Sequence, residues 1–150
     1  MGDYTGLKAK ITLKESTPQY ILDTLDRMTL KVDDSDGWQY PDHPLFNCGR
    51  RYLLRGSSSY LKDFPPTSER NDLVLNVSFN VKNYDSDIDK FLDWIFPYTM
   101  KIEHGWCRYE YNDDPSLVCM AKDGFKMIYP DEMETVDVSV LGSQKLLEEG

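Results

Sequence analysis

No stretch of this sequence approaches the roughly 20 consecutive apolar residues that a membrane span needs, and no signal-peptide hydrophobic block stands near its start. The opening Met-Gly does not complete a myristoylation signal, because Gly6 stands where Ser or Thr is wanted. Cysteine is scarce. Cys48, Cys107 and Cys119 are odd in number and irregularly spaced, which excludes a disulfide framework and reads as reduced thiols in a cytoplasm. Positive charge is short as well: 17 Lys and Arg against 26 Asp and Glu give a formal charge of −9, which argues against direct nucleic-acid binding. Catalytic signatures are also missing. Gly56-Ser57-Ser58-Ser59-Tyr60 ends in tyrosine and is no nucleophile elbow, and there is neither a phosphate loop nor a dinucleotide fingerprint. The acidic run at 33–37 misses calcium, since counting back from Gly37 puts Val32 at the first ligand position of an EF-hand and His43 at the twelfth.

What is present is enough for a core. The 150 residues are 40% apolar and 13% aromatic, too much for a disordered chain and the size of a single domain over 1–150 that needs no metal or disulfide staple. Leu7, Ala9, Ile11 and Leu13 alternate with Lys8, Lys10 and Thr12, predicting a half-buried strand with a basic outer face. Ser16-Thr17-Pro18 supplies a cap hydroxyl and a proline at the first helical position, and Ile21, Leu22, Leu25 and Met28 give residues 18–28 an amphipathic helical pattern. A proline-punctuated aromatic loop with Trp38, Tyr40 and Phe46 follows. Residues 50–60 read as a weak strand. The clearest strand is 73–81, where Leu73, Leu75, Val77, Phe79 and Val81 share one face. Residues 83–86 cap a second helix, whose Ile88, Phe91, Leu92 and Ile95 fall at i, i+3, i+4 and i+7. Short strands at 106–111, 117–121 and 125–129 come next, with another alternation at Val136, Val138 and Val140. The expected fold is α+β: a mainly antiparallel sheet with two helices on one face, ferredoxin-like (split β-α-β) with extra C-terminal strands.

Four features compete for a chemical role. His43 and Cys48, with His104 and Cys107, could supply a tetrahedral zinc site, but the spacings fit no finger or ribbon, and no metal or cofactor is expected. Arg51 and Arg55, followed by Ser57, Ser58 and Ser59, offer arginine forks and hydroxyls to a phosphate; pairing with neighbouring carboxylates is the plainer use. Asp85, Asp89 and Asp93 recur at i, i+4 and i+8 opposite the apolar stripe of the second helix, a row stepping about 6 Å along the axis. Glu110, Asp113 and Asp114 add to the acidic surface. Trp38 and Tyr40, apolar in body and polar at the rim, could anchor a partner beside it, or pack under their own loop. On the hairpin, Trp106 should face away from Tyr109 and Tyr111.

The capped acidic helix of residues 85–98, with Phe91-Leu92, Trp94-Ile95 and Pro97-Tyr98, followed by Trp106-Cys107-Arg108-Tyr109-Glu110-Tyr111, resembles small acidic proteins of polymorphic-toxin immunity and prophage loci. That resemblance implies a non-catalytic inhibitor of a toxin or defence nuclease. The expectation is therefore a cytoplasmic, non-enzymatic nucleic-acid mimic: an immunity or phage anti-defence (anti-CRISPR-like) protein that occupies the groove of a basic partner through Asp85, Asp89, Asp93, Trp38, Tyr40, Glu110, Asp113 and Asp114. A small-anion or nucleotide-binding domain built on Arg51, Arg55 and the serines is the alternative.

Overall fold

The computed structural model describes residues 4–33, 35, 37–47, 50–56, 61–82, 86–111 and 114–129, with the side chains of 50 and 51 excepted. The chain order is β1 (Tyr4–Leu13), α1 (Gln19–Met28), a short α2 (Pro44–Asn47), a 3-10 helix (Arg50–Arg55), β2 (Glu69–Asn71), β3 (Val74–Lys82), α3 (Asp87–Ile95), a 3-10 turn (Phe96–Tyr98), β4 (Thr99–Tyr109), β5 (Ser116–Met120) and β6 (Phe125–Ile128). The strands form one antiparallel sheet in the order β2-β3-β1-β4-β5-β6. It is an α+β architecture with two main helices.

Register explains which face is covered. Leu7 pairs with Phe79 and Cys107, Ala9 with Val77, and Ile11 with Leu75 and Ile102. All are buried, and they share one cluster with Ile21, Leu25, Ile88, Phe91, Leu92 and Ile95 from α1 and α3. Phe79 of β3 meets Phe91 of α3 edge-on, centroids 6.2 Å apart, a favoured aromatic geometry. The core therefore lies between the two helices and one face of β3-β1-β4.

Three expectations need correction. Residues 50–55 are a 3-10 helix, not a strand. Leu53 and Leu54 are adjacent and both buried, at 2% and 1% exposure, which strand alternation cannot achieve on a one-sided sheet; Gly56, with φ of 51°, ends the segment. A short edge strand, Glu69–Asn71, lies beside β3 instead. The caps differ too: Pro18 occupies the N-cap of α1 with no side-chain cap bond, and the Thr17 hydroxyl donates to the Lys14 carbonyl at 2.6 Å. Likewise Ser86 makes no side-chain cap bond to α3. The alternation at Val136, Val138 and Val140 lies outside the described residues.

Candidate functional site: an acidic groove beside helix α3

Helix α3 positions its acids through its own periodicity. Ile88, Phe91, Leu92 and Ile95 go into the core, and Trp94 packs edge-on against Phe46 of α2 at 5.0 Å. Asp89 and Asp93 are left on the exposed side. Across from them the β5–β6 turn brings Asp123 to the rim of the same groove. Leu92, Phe125, Met127 and Tyr129 complete a concavity of about 410 Å³ in which, among the described residues, those three aspartates are the only charged lining groups. Apolar contact surface ringed by carboxylates suits a basic, partly apolar partner. Asp85, the first member of the expected row, lies outside the described residues, as does Asp113.

Asp93 is held by a neighbour. His43 Nε2 stands 2.9 Å from Asp93 Oδ2, while its Nδ1 accepts the Leu45 backbone N–H at 3.1 Å. Since Nδ1 is the acceptor, the proton of a neutral ring sits on Nε2 and is donated to the carboxylate. The bond fixes the rotamer of Asp93 without requiring a positive charge beside it.

Trp38, Tyr40 and Glu110 have intramolecular duties. Trp38 lies on α1: its Nε1 donates to Thr24 Oγ1 at 3.1 Å, its ring stacks on Tyr20 at 5.4 Å, and the Arg27 guanidinium sits 3.6 Å from its centroid. Tyr40 packs against Phe46 at 5.4 Å. Glu110 accepts the Tyr4 backbone N–H and so ties the end of β4 to the start of β1. Asp114 is exposed between β4 and β5. Trp106 and Tyr109 fall on opposite faces of β4, since Trp106 pairs with Lys8 and Tyr109 with Thr5.

Of the arginine–serine segment, Ser57, Ser58 and Ser59 lie outside the described residues, and so does the side chain of Arg51. Arg55 donates from Nη2 to the Arg27 carbonyl at 2.9 Å and stacks on Tyr52 at 4.3 Å. The residues expected as a strand are a 3-10 helix here, so Arg51 and Arg55 lack the alternation by which a strand sets positions four apart on one face. The zinc candidates do not converge. His43 belongs to Asp93, Cys107 points into the core opposite Leu7, and His104 lines the other face of the sheet. Cys48 lies outside the described residues, among which no cluster of three metal-ligating side chains occurs. Burial pushes the Cys107 thiol up to about 12, with the negative charge of Asp89 adding to the effect, and burial alone pushes Cys119 up to about 11. Both thiols stay protonated at neutral pH and are poor nucleophiles.

A second concavity, on the uncovered sheet face, combines Lys8, Lys10, Asn76, Ser78, His104 and Trp106. The sequence carried part of its signal, the polar alternation on the two strands, but only the antiparallel pairing sets Lys8 beside Ser78 and Trp106. No helix of the described residues is long and apolar enough to cross a membrane. Comparison of the chain with family models, curated proteins and solved structures finds no match.

Proposed function

We propose that this chain is a non-enzymatic acidic binding protein that blocks a basic partner protein, a nuclease, toxin or defence effector, by lodging the α3 groove face in the partner's nucleic-acid or substrate groove. The observation that carries this reading is the convergence of Asp89, Asp93 and Asp123 around an apolar floor with no lysine or arginine in the lining among the described residues. Negative charge focused over a concave surface steers a basic partner into contact, and Phe125 and Tyr129 supply apolar area for it to bury. Toxin immunity and phage anti-defence are the two biological settings for such an inhibitor, and a cytoplasmic location fits both. In fold terms we read β1-α1-β2 and β3-α3-β4 as a ferredoxin-like split β-α-β pair extended by β5 and β6; the antiparallel order β2-β3-β1-β4 supports this.

The test is a pull-down of basic nucleases and toxins encoded beside the gene, run at low and high salt with wild type and the Asp89→Lys/Asp93→Lys variant. Capture should fall at least about tenfold on charge reversal and lose its salt dependence. Capture by the variant at wild-type level would refute groove blocking by this face.

A further inference from the structure

The sheet face that the helices leave uncovered is partly walled by the loop of residues 61–67. Gly6 makes that possible: a Cβ there would stand 2.4 Å from Phe64 Cγ, so only glycine lets the ring lie on β1. Asn80 Nδ2 donates to the Phe64 carbonyl at 2.7 Å, and the Thr67 N–H donates to the Ser78 carbonyl at 3.0 Å. The loop thus closes the end of the face near Gly6 and stops at Thr67. Beyond it opens a cavity of about 450 Å³, within the usual range for small-molecule sites of roughly 300–1,000 Å³.

Register fixes the lining. Lys8 lies between Ser78 and Trp106, and Lys10 between Asn76 and Glu103. Positions two apart on a strand are about 6.5 Å apart, close enough for both ammonium groups to reach one phosphate. His104 joins them through a β-bulge. Between the Lys8–Trp106 and Lys10–Glu103 pairs, β4 has one residue more than β1, and His104 takes a φ of 52° there. Bulges re-aim side chains beside functional sites. Gly105 faces the packed side, where a Cβ would come within 2.7 Å of the Val118 carbonyl oxygen.

Few of the polar groups here are satisfied within the chain. Among the described residues neither lysine forms an ion pair, and the Ser78 hydroxyl, in a residue only 6% exposed, has no hydrogen-bond partner. A buried polar group left so is costly and points to a missing acceptor or donor. Of the two carboxylates at the rim, Glu103 is paired with Lys101 at 3.2 Å and feels the charges of Lys10 and His104 more weakly, and Glu69 lies beyond Asn76 on β2. Cationic groups, an indole face and amide and hydroxyl donors around one cavity match a planar base that carries an anion.

We propose that this cavity binds a nucleoside monophosphate, its base on Trp106, its phosphate between Lys8, Lys10 and His104, and its polar edges toward Asn76 and Ser78. The site lies across the sheet from the α3 groove and does not depend on the reading of that groove. Inorganic phosphate would leave the indole unused, and a nucleoside would leave the lysines unused.

The experiment is an amide-resonance titration of the full chain with each common ribonucleoside monophosphate, the parent nucleosides, inorganic phosphate and a short single-stranded oligonucleotide. One monophosphate at least should shift the signals of Lys8, Lys10, Ser78, His104 and Trp106, binding about tenfold or more tighter than its nucleoside or phosphate. Lys8→Ala/Lys10→Ala and Trp106→Ala should each weaken it at least about tenfold, Trp106→Phe should retain it, and Asp89→Lys/Asp93→Lys should leave it unchanged. Absence of shifts with every monophosphate at about millimolar concentration, equal binding of inorganic phosphate, or tighter binding of the oligonucleotide would each overturn the proposal.

Discussion

One sheet here has two unlike faces built from the same strands. On β1, Leu7, Ala9, Ile11 and Leu13 are buried beneath the helices, whereas Lys8 and Lys10 between them are exposed. On β4, Ile102 and Cys107 lie on the covered side and Trp106 on the other. An antiparallel sheet can leave one face to water and still fold, so the covered face must be apolar and the open face is free to carry other chemistry. The difference separates residues that hold the fold from residues placed for a ligand.

The largest expected effect tests that separation directly. Phe91→Ala would empty a fully buried aromatic position against Phe79 and should lower unfolding free energy by about 4 kcal/mol. Trp106→Ala, on the open face, should cost less than about 1 kcal/mol. Urea denaturation of the two variants gives both numbers. A Trp106→Ala loss as large as that of Phe91→Ala would mean that the open face is a second core.

A smaller effect probes a charged pair at the edge of the covered face. Arg70 of β2 grips Asp26 of α1 with two bonds, Nε to Oδ1 and Nη2 to Oδ2, each 2.8 Å. Their side chains are only 10% and 11% exposed, and the hydrogen bond to Asp26 raises the Arg70 pKa above its ordinary value. Asp26→Ala would leave the guanidinium, among the described residues, only its bond to the Asp72 carbonyl and should cost about 2–3 kcal/mol. Adding Arg70→Met to Asp26→Leu should recover most of that loss, because the desolvation penalty leaves with the charges. Failure to recover would show that the pair positions β2 through geometry that an apolar contact cannot replace.

The elements with unbroken periodicity were legible in the sequence: the alternation in β1 and β3 and the helical spacing of Ile88, Phe91, Leu92 and Ile95 each survive as covered surface. Elements whose pattern is interrupted were not. Leu53-Leu54 reads as strand-like apolar content, yet both adjacent side chains are buried in the core. β2 offers only Glu-Arg-Asn, a polar edge without alternation. The first half of β4 was missed because the extra residue at His104-Gly105 puts Ile102 and Cys107, five apart, on one face. The candidate groove was half legible. Helix spacing gave Asp89 and Asp93, but Asp123 arrives through a turn that sequence separation hides. On the open face the stripes Lys8-Lys10 and Asn76-Ser78 were visible singly, and their adjacency is a property of register alone.

The finest test of the contrast is at His104. Its φ of 52° lies in the left-handed region, where a residue with a Cβ pays about 1 kcal/mol that glycine avoids. In a regular strand the order is the reverse, and glycine is worse than alanine by roughly 0.5–1 kcal/mol. His104→Gly should therefore be more stable than His104→Ala by about 1 kcal/mol, read from urea midpoints at equal slope. Both variants lose the imidazole, so both should weaken mononucleotide binding to a similar extent. Against the wild type, the glycine variant should then gain stability as it loses binding, the expected sign when a ligand site keeps a strained residue. Equal stability of the two variants would show that the bulge holds no strain and that His104 sits at φ of 52° at no cost to the fold.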